Sequence, residues 1–280
     1  MHLVSTLLGL LWATPLSASP VPQGSSQSGG TGPFSPASYT TIPALSSHTI
    51  YLPQSVPSGS RLPILLWGNG GCSANGLSFR PFLTQLASHG IFVISSGAPN
   101  GNGQTTAALM TRGIDWVHSQ EAKTKYPFLE PGRIAVAGMS CGGVEAYSAG
   151  HNDSRVSTIG IFNSGLLSVQ ESERIAKGIK KPTFYFLGGE SDIAYANGER
   201  DYKLLPAGTP SWKGNLDVGH GGTYSDKDGG KFGVAAVAYF DWLLRGNAKA
   251  SSFFTDGTEA KNAGWKVESK NLGAIKVAPL

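Results

Sequence analysis

From residue 48 onward the chain is built of short, continuous apolar runs separated by glycine-rich turns. The runs fall at 48–53, 62–67, 91–95, 133–138, 157–162, 183–187 and 212–217. Runs of this length, bounded by turn residues, predict strands buried on both faces of a parallel sheet. Between them the period changes. Over 104–120, Ala107, Met110, Ile114 and Val117 recur at helical spacing and form one stripe. A helix over 232–245 carries Val234, Val237, Phe240, Trp242 and Leu244, apolar nearly all round, and is expected to be well covered. Further helices are predicted at 77–88, 143–150 and 194–204. Strands alternating with helices specify an α/β fold, a mostly parallel central sheet with helices on both faces. No internal repeat or second-domain linker interrupts the pattern.

The N-terminal residues follow a different rule. Positions 3–16 are apolar and are followed by Ser17-Ala18-Ser19. That stretch is too short for a bilayer, which needs about 20 residues, and has the size of a signal-peptide core. The expected division is a signal peptide over 1–18, a disordered Ser/Gly/Pro-rich arm over 19–37, and a catalytic domain over 38–280. Charged residues make up only 14% of the 280-residue chain, against about 25% in an average soluble protein, a composition that fits secretion. The net charge of +4 is scattered, with short clusters at Lys123/Lys125 and Lys177/Lys180/Lys181. Without a contiguous basic face, nucleic-acid binding is not expected. No later segment is long and apolar enough to predict a membrane span, so the mature protein is expected outside the cell, as a monomer.

The two cysteines, Cys72 and Cys141, suit that compartment. If their loops border one site, a disulfide between them is reasonable. It would close a loop of about seventy residues and contribute about 4 kcal/mol in the chain-entropy model. The alternative is two separate buried thiols. Asn152-Asp153-Ser154 is the one N-glycosylation sequon, placing a candidate glycan on Asn152.

Chemistry enters at Gly138-Met139-Ser140-Cys141-Gly142, directly behind the strand-like run 133–138 and ahead of a helix. A Gly-x-Ser-x-Gly sequence between strand and helix is a nucleophile elbow, in which a sharp, strained turn exposes the serine. Small neighbours at 138 and 142 let strand and helix approach closely. A serine hydroxyl needs a base within hydrogen-bond reach. Of six histidines, only His151 and His220 follow Ser140. His151 sits at the end of the helix leaving the elbow. His220 stands in a Gly-flanked loop after the last strand-like run and is the candidate base. The acid is sought after the run at 183–187, where Glu190 and Asp192 share a loop. Asp192 is preferred because it immediately precedes a helix, with Glu190 as its rival. Oxyanion donors are expected from the backbone amide of Cys141 and from the glycine-rich stretch 67–72, with the Asn69 amide favoured and Gly70 second. Trp212, Tyr195 and Tyr224, near the acid and histidine loops, are candidates either for the pocket lining or for the core. Neither a cofactor nor a metal is expected, since no zinc-type His/Cys spacing is present.

These residues resemble the α/β-hydrolase superfamily, in the group that holds dienelactone-hydrolase-like proteins, cutinase-type polyester hydrolases, and chlorophyllase- and PAF-acetylhydrolase-like esterases. The resemblance spans about residues 49–254. It is carried by Gly68, by 133–143 around the elbow, by 181–192, by 216–220, and by the style of the final helix. It implies a Ser140–His220–Asp192 triad and a secreted serine esterase acting on a small-molecule or polymer-borne ester. The chain departs from the pattern at Trp67, where a histidine is common, and at Cys141, where a hydrophobic residue is commoner. It departs again at Asn163-Ser164-Gly165, where polyester hydrolases carry an aromatic residue, and this speaks against a flat polymer cleft. A peptidase, an acyltransferase and an inactive binding protein of the same fold stay open at this level.

Overall fold

Within each buried strand, successive side chains point to opposite faces, so a continuous apolar run feeds two cores at once. Ile64 and Leu66 belong to one core and Leu65 and Trp67 to the other. The computed structural model describes residues 19–20 and 29–280. The expected signal peptide (1–18) and residues 21–28 of the expected arm lie outside the described residues.

In chain order the first elements are β1 (Ser19–Pro20), β2 (Ala37–Thr40), β3 (His48–Pro53), β4 (Ser55–Val56), β5 (Leu62–Gly68), α1 (Arg80–Ser88) and β6 (Phe92–Ser96). They continue with α2 (Ala107–Val117), α3 (Gln120–Lys125), β7 (Leu129–Met139), α4 (Cys141–Gly150), β8 (Val156–Phe162), α5 (Val169–Ile175), β9 (Thr183–Leu187) and α6 (Tyr195–Leu204). The last are β10 (Ser211–Asn215), α7 (Gly230–Leu243), α8 (Ser252–Thr255), α9 (Thr258–Asn262) and β11 (Lys266–Lys270). Nine strands form one sheet in the order β11-β10-β9-β8-β7-β5-β6-β3-β2. The six from β10 to β6 are mutually parallel, while the edge pairings β6–β3, β3–β2 and β10–β11 are antiparallel. The predicted α/β class, with a mostly parallel sheet, is therefore observed.

One core lies beneath α2–α6 and contains Met110, Ile114, Tyr147 and Tyr202. The other lies beneath α1, α7 and the C-terminal segments and contains Phe82, Phe232, Tyr239 and Phe240. Helices thus cover both faces. Among the described residues, no helix is long and apolar enough to cross a membrane. The chain steps from β5 to β6 on one side, then returns to place β7 on the other side of β5. At this reversal the loops leaving β5 and β7 diverge, and an open α/β sheet forms its binding crevice at such a point.

Residues 29–37 differ from the expected disordered arm. The amides of Thr31 and Gly32 donate to Gln85 Oε1 and Ser88 Oγ at 2.9 and 3.0 Å. Phe34 N donates to Ser88 O at 2.9 Å, and the Arg245 guanidinium stacks over the Phe34 ring. Most of these contacts use backbone amides, which composition does not reveal. The polar strand β11 was equally invisible to an apolar-run search, because its side chains are mostly exposed.

Close backbone approach at the reversal fixes the elbow. Gly68 and Gly138 are partners across β5 and β7. A Cβ on Gly142 would lie 2.1 Å from the Gly68 carbonyl, and one on Gly138 would lie 2.3 Å from Gly142. These are backbone clashes that no rotamer change relieves. Gly142→Ala is expected to cost roughly 3 kcal/mol or more, measured by urea unfolding. An unfolding midpoint equal to wild type would refute this packing.

Candidate active site

Ser140 occupies the single residue between β7 and α4, with φ 54° and ψ −120°. A non-glycine residue in this region is strained and needs support from its surroundings. That support is visible: Ser140 N donates to Phe162 O at 3.0 Å, and Ser164 Oγ donates to Ser140 O at 2.6 Å. Cys72 and Asn163, at φ 48° and 41°, flank the same site, so three left-handed non-glycine residues cluster there.

The sequence-predicted partners converge on the serine. His220 Nε2 lies 3.0 Å from Ser140 Oγ, and His220 Nδ1 lies 2.5 Å from Asp192 Oδ1. Asp192 is buried, and each carboxylate oxygen meets two donors. Oδ1 accepts from His220 and from Ala194 N at 2.9 Å; Oδ2 accepts from Gly188 N at 3.1 Å and Asn163 Nδ2 at 2.9 Å. A carboxylate so enclosed orients one imidazole tautomer, with the proton on Nδ1 and Nε2 free to accept. Glu190, the rival acid, is exposed and borders a separate small cavity with Tyr195, Asn215, Asp217 and Lys266. His151 caps the C-terminal end of α4, its Nδ1 2.8 Å from Tyr147 O. Asn152 is exposed beside it.

Cys72 and Cys141 form a disulfide, their Cα atoms 5.1 Å apart. It ties the loop after β5 to the first residue of α4. Cys141 opens the helix, so its N–H has no intrahelical acceptor. Asn69 is fully buried, and its side-chain nitrogen lies 2.9, 3.1 and 2.7 Å from the carbonyls of Ser73, Asn75 and Ser96. The Asn69 side chain thus pins the loop.

A cavity of about 370 Å³ opens beside Ser140 and His220. Val144, Leu167, Ile193, Ala107 and the disulfide contribute its apolar wall. Leu167 and Ile193 are 72% and 81% exposed, unusually so for large apolar side chains. The aromatic residues predicted for this pocket lie elsewhere. Trp212 and Tyr224 are buried in the core, and Tyr195 borders the Glu190 cavity. Their places near the acid and histidine loops made them candidates, but Trp212 and Tyr224 instead stack against other aromatic rings in the core. Among the described residues, no group of three or more His, Cys, Asp or Glu side chains is placed to hold a metal ion.

Sequence reading missed three supporting residues. Asn163 bridges Asp192 and Gly219 O, and its Oδ1 accepts from the Tyr224 hydroxyl at 2.5 Å. Burial, together with the nearby Asp192 charge, pushes the Tyr224 hydroxyl well above its usual range and keeps it a donor. Ser164 holds the elbow carbonyl. Glu145, buried in the cavity wall, accepts from Thr105 Oγ1 at 2.8 Å. The available signals were a polar triplet ending an apolar strand and a lone carboxylate on a helix of small residues.

No protein-family model and no curated protein matches this chain.

The disulfide closes a 69-residue separation. The Cys72→Ser/Cys141→Ser double variant is expected to lose about 4 kcal/mol of stability, read by urea unfolding; unchanged stability would remove its structural role. Burial raises the Glu145 pKa above its ordinary 4.5, while the Thr105 hydrogen bond opposes the shift more weakly. The folded state therefore holds this proton more tightly than the unfolded chain does. That contribution is fully present below pH 4.5 and is lost as pH rises through the folded-state value. Glu145→Gln should gain stability relative to wild type as pH rises from 4 to 7, by thermal melting, and a difference independent of pH would contradict the assignment.

Proposed function

We propose that the protein is a secreted serine hydrolase of the α/β-hydrolase type, cleaving carboxylic esters through Ser140, His220 and Asp192. The observation that carries this reading is the continuous line of contacts from Ser140 Oγ to His220 at 3.0 Å and from His220 to the buried Asp192 at 2.5 Å. It ends at an apolar cavity, and three separate loops supply it.

In this mechanism His220 Nε2 takes the Ser140 proton as Oγ bonds to the ester carbonyl carbon. The carbonyl π electrons move to oxygen, where the Cys141 amide and an amide of the Asn69–Gly70 segment stabilise the oxyanion. Collapse breaks the bond to the leaving alcohol, which takes the proton back from Nε2. Water then repeats the sequence on the acyl-enzyme, releasing the acid and restoring Ser140. Asp192 holds the imidazole and stabilises its cationic form without taking its proton.

The apolar wall, with Leu167 and Ile193 at its rim, favours a small uncharged ester over a flat polymer surface. Secretion is supported by the signal-peptide-like N-terminus and by a disulfide beside the site. Exposed Asn152 is the proposed glycan site.

The test is turnover of p-nitrophenyl acetate through hexanoate, with labelling by a serine-directed phosphonate. Wild type should turn over at least one ester and be labelled. Ser140→Ala should lose about 10⁴-fold or more in kcat, and Asp192→Asn on the order of 10⁴-fold, with folding retained. A wild-type protein neither labelled nor active would defeat the proposal. Labelling without ester turnover would redirect it to peptide cleavage or acyl transfer.

A further inference from the structure

Helix α4 turns one face to the cavity: Cys141, Val144, Glu145 and Ser148, the i, i+3, i+4, i+7 positions that stack along a helix. Three of these suit a neutral wall. Glu145 does not, for it is only 5% exposed, and its burial carries a cost that a leucine would avoid. Its Oε1 accepts from Thr105 Oγ1, while its Oε2 is buried without a hydrogen-bond partner among the described residues. Thr105 is itself held by the loop of the disulfide. Its N donates to Cys72 O at 2.7 Å, and its hydroxyl lies 3.1 Å from the same oxygen. One hydroxyl proton thus faces two acceptors, and Glu145 receives no other hydrogen bond among the described residues.

Buried polar atoms left unpaired in a native structure call for an explanation. Here the unpaired oxygen belongs to a residue in the wall of the proposed substrate cavity but is closed off from the cavity itself, so a turn of the carboxyl about its terminal bond accompanies any contact with a bound molecule. We propose that Glu145 is a specificity-determining residue whose carboxyl donates a hydrogen bond to an uncharged oxygen in the acyl arm of the substrate. The preferred esters then carry an ether, ester or ketone oxygen a few bonds from the scissile carbonyl. This inference rests on the ester-hydrolase reading above.

Topology assigns the arm. His220 must reach the leaving-group oxygen, and it arrives from the loop after β10, on the β8–β10 side of Ser140. Thr105 follows β6, on the opposite side across β5. The leaving group therefore stays with His220, and the acyl arm extends toward Thr105 and Glu145. A helix side chain leans toward the helix N-terminus, which brings the carboxyl back over Cys141, toward the reacting centre. Burial raises its pKa and so favours the protonated carboxyl that this donation needs. A negatively charged acyl group would enter an apolar wall without a counter-ion and is disfavoured.

The experiment compares four p-nitrophenyl esters of equal chain length at pH 5: hexanoate, propoxyacetate, 3-ethoxypropanoate and 4-methoxybutanoate. The last three replace one methylene with an ether oxygen, which accepts hydrogen bonds but cannot donate. Wild type should favour at least one oxa-ester over hexanoate about tenfold in kcat/KM, as expected for one hydrogen bond of about 1.4 kcal/mol. Intrinsic reactivity is removed by dividing by each ester's buffer hydrolysis rate. Glu145→Leu should bring the ratio to about one, and Glu145→Gln, which keeps an N–H donor, should retain a preference. Calorimetric titration of Ser140→Ala with the four methyl esters reads the same preference without turnover. Failure of wild type to hydrolyse any ester would defeat the hydrolase reading, while the titration still decides the binding preference. Equal affinity for all four in the titration, or a preference that survives Glu145→Leu, overturns the inference.

Discussion

The approach of α4 to β5, with Gly142 pressed against the Gly68 carbonyl, is the contact on which the site depends. No side chain fits between them. The approach forces the chain to turn within one residue, and Ser140 is that residue. The same approach brings Cys141 within disulfide range of Cys72, so the loop after β5 is covalently tied to the elbow. The strained serine, the amide beside it and the opposing loop thus share one mechanical origin. The strain is opposed by two identified hydrogen bonds, from Ser140 N to Phe162 O and from Ser164 Oγ to Ser140 O.

A second layer fixes what the serine faces. Asn163 follows β8 at the carboxyl end of the strand beside β7, and its amide reaches both Asp192 and the carbonyl preceding His220. Tyr224, from the loop beyond His220, closes this network on Asn163 Oδ1. The acid and histidine loops are therefore cross-braced through one asparagine. The cavity rim has its own brace. Asp201 accepts from Leu166 N at 2.6 Å and Ser172 Oγ at 2.5 Å, and Arg200 donates to the Leu166 carbonyl. Leu167 consequently projects from a segment anchored beneath it, which explains how so exposed an apolar side chain keeps a defined position.

Much of the fold was legible because its central strands are buried on both faces. The runs at 48–53 and 183–187 coincide with β3 and β9, and the helix predicted at 194–204 lies within one residue of α6. The histidine was legible by elimination, since one candidate caps a helix and the other stands in a glycine-flanked loop. Strand β11 and the docked residues 29–37 were not legible. Their order rests on backbone hydrogen bonds to elements distant in sequence, which leave no apolar period.

The sequence by itself determined the alternation of strands and helices, the elbow, and the order in which serine, acid and histidine appear. These are local facts, written in turn chemistry and hydrophobic period. Tertiary structure alone decided that Asp192 and not Glu190 reaches His220, and that the pocket is walled by small and aliphatic residues while the large aromatics stack in the core. It alone placed a carboxyl with one unpaired oxygen in that wall. Such outcomes depend on which loops leave neighbouring strands and which atoms find donors there, and residues far apart in the chain fix both.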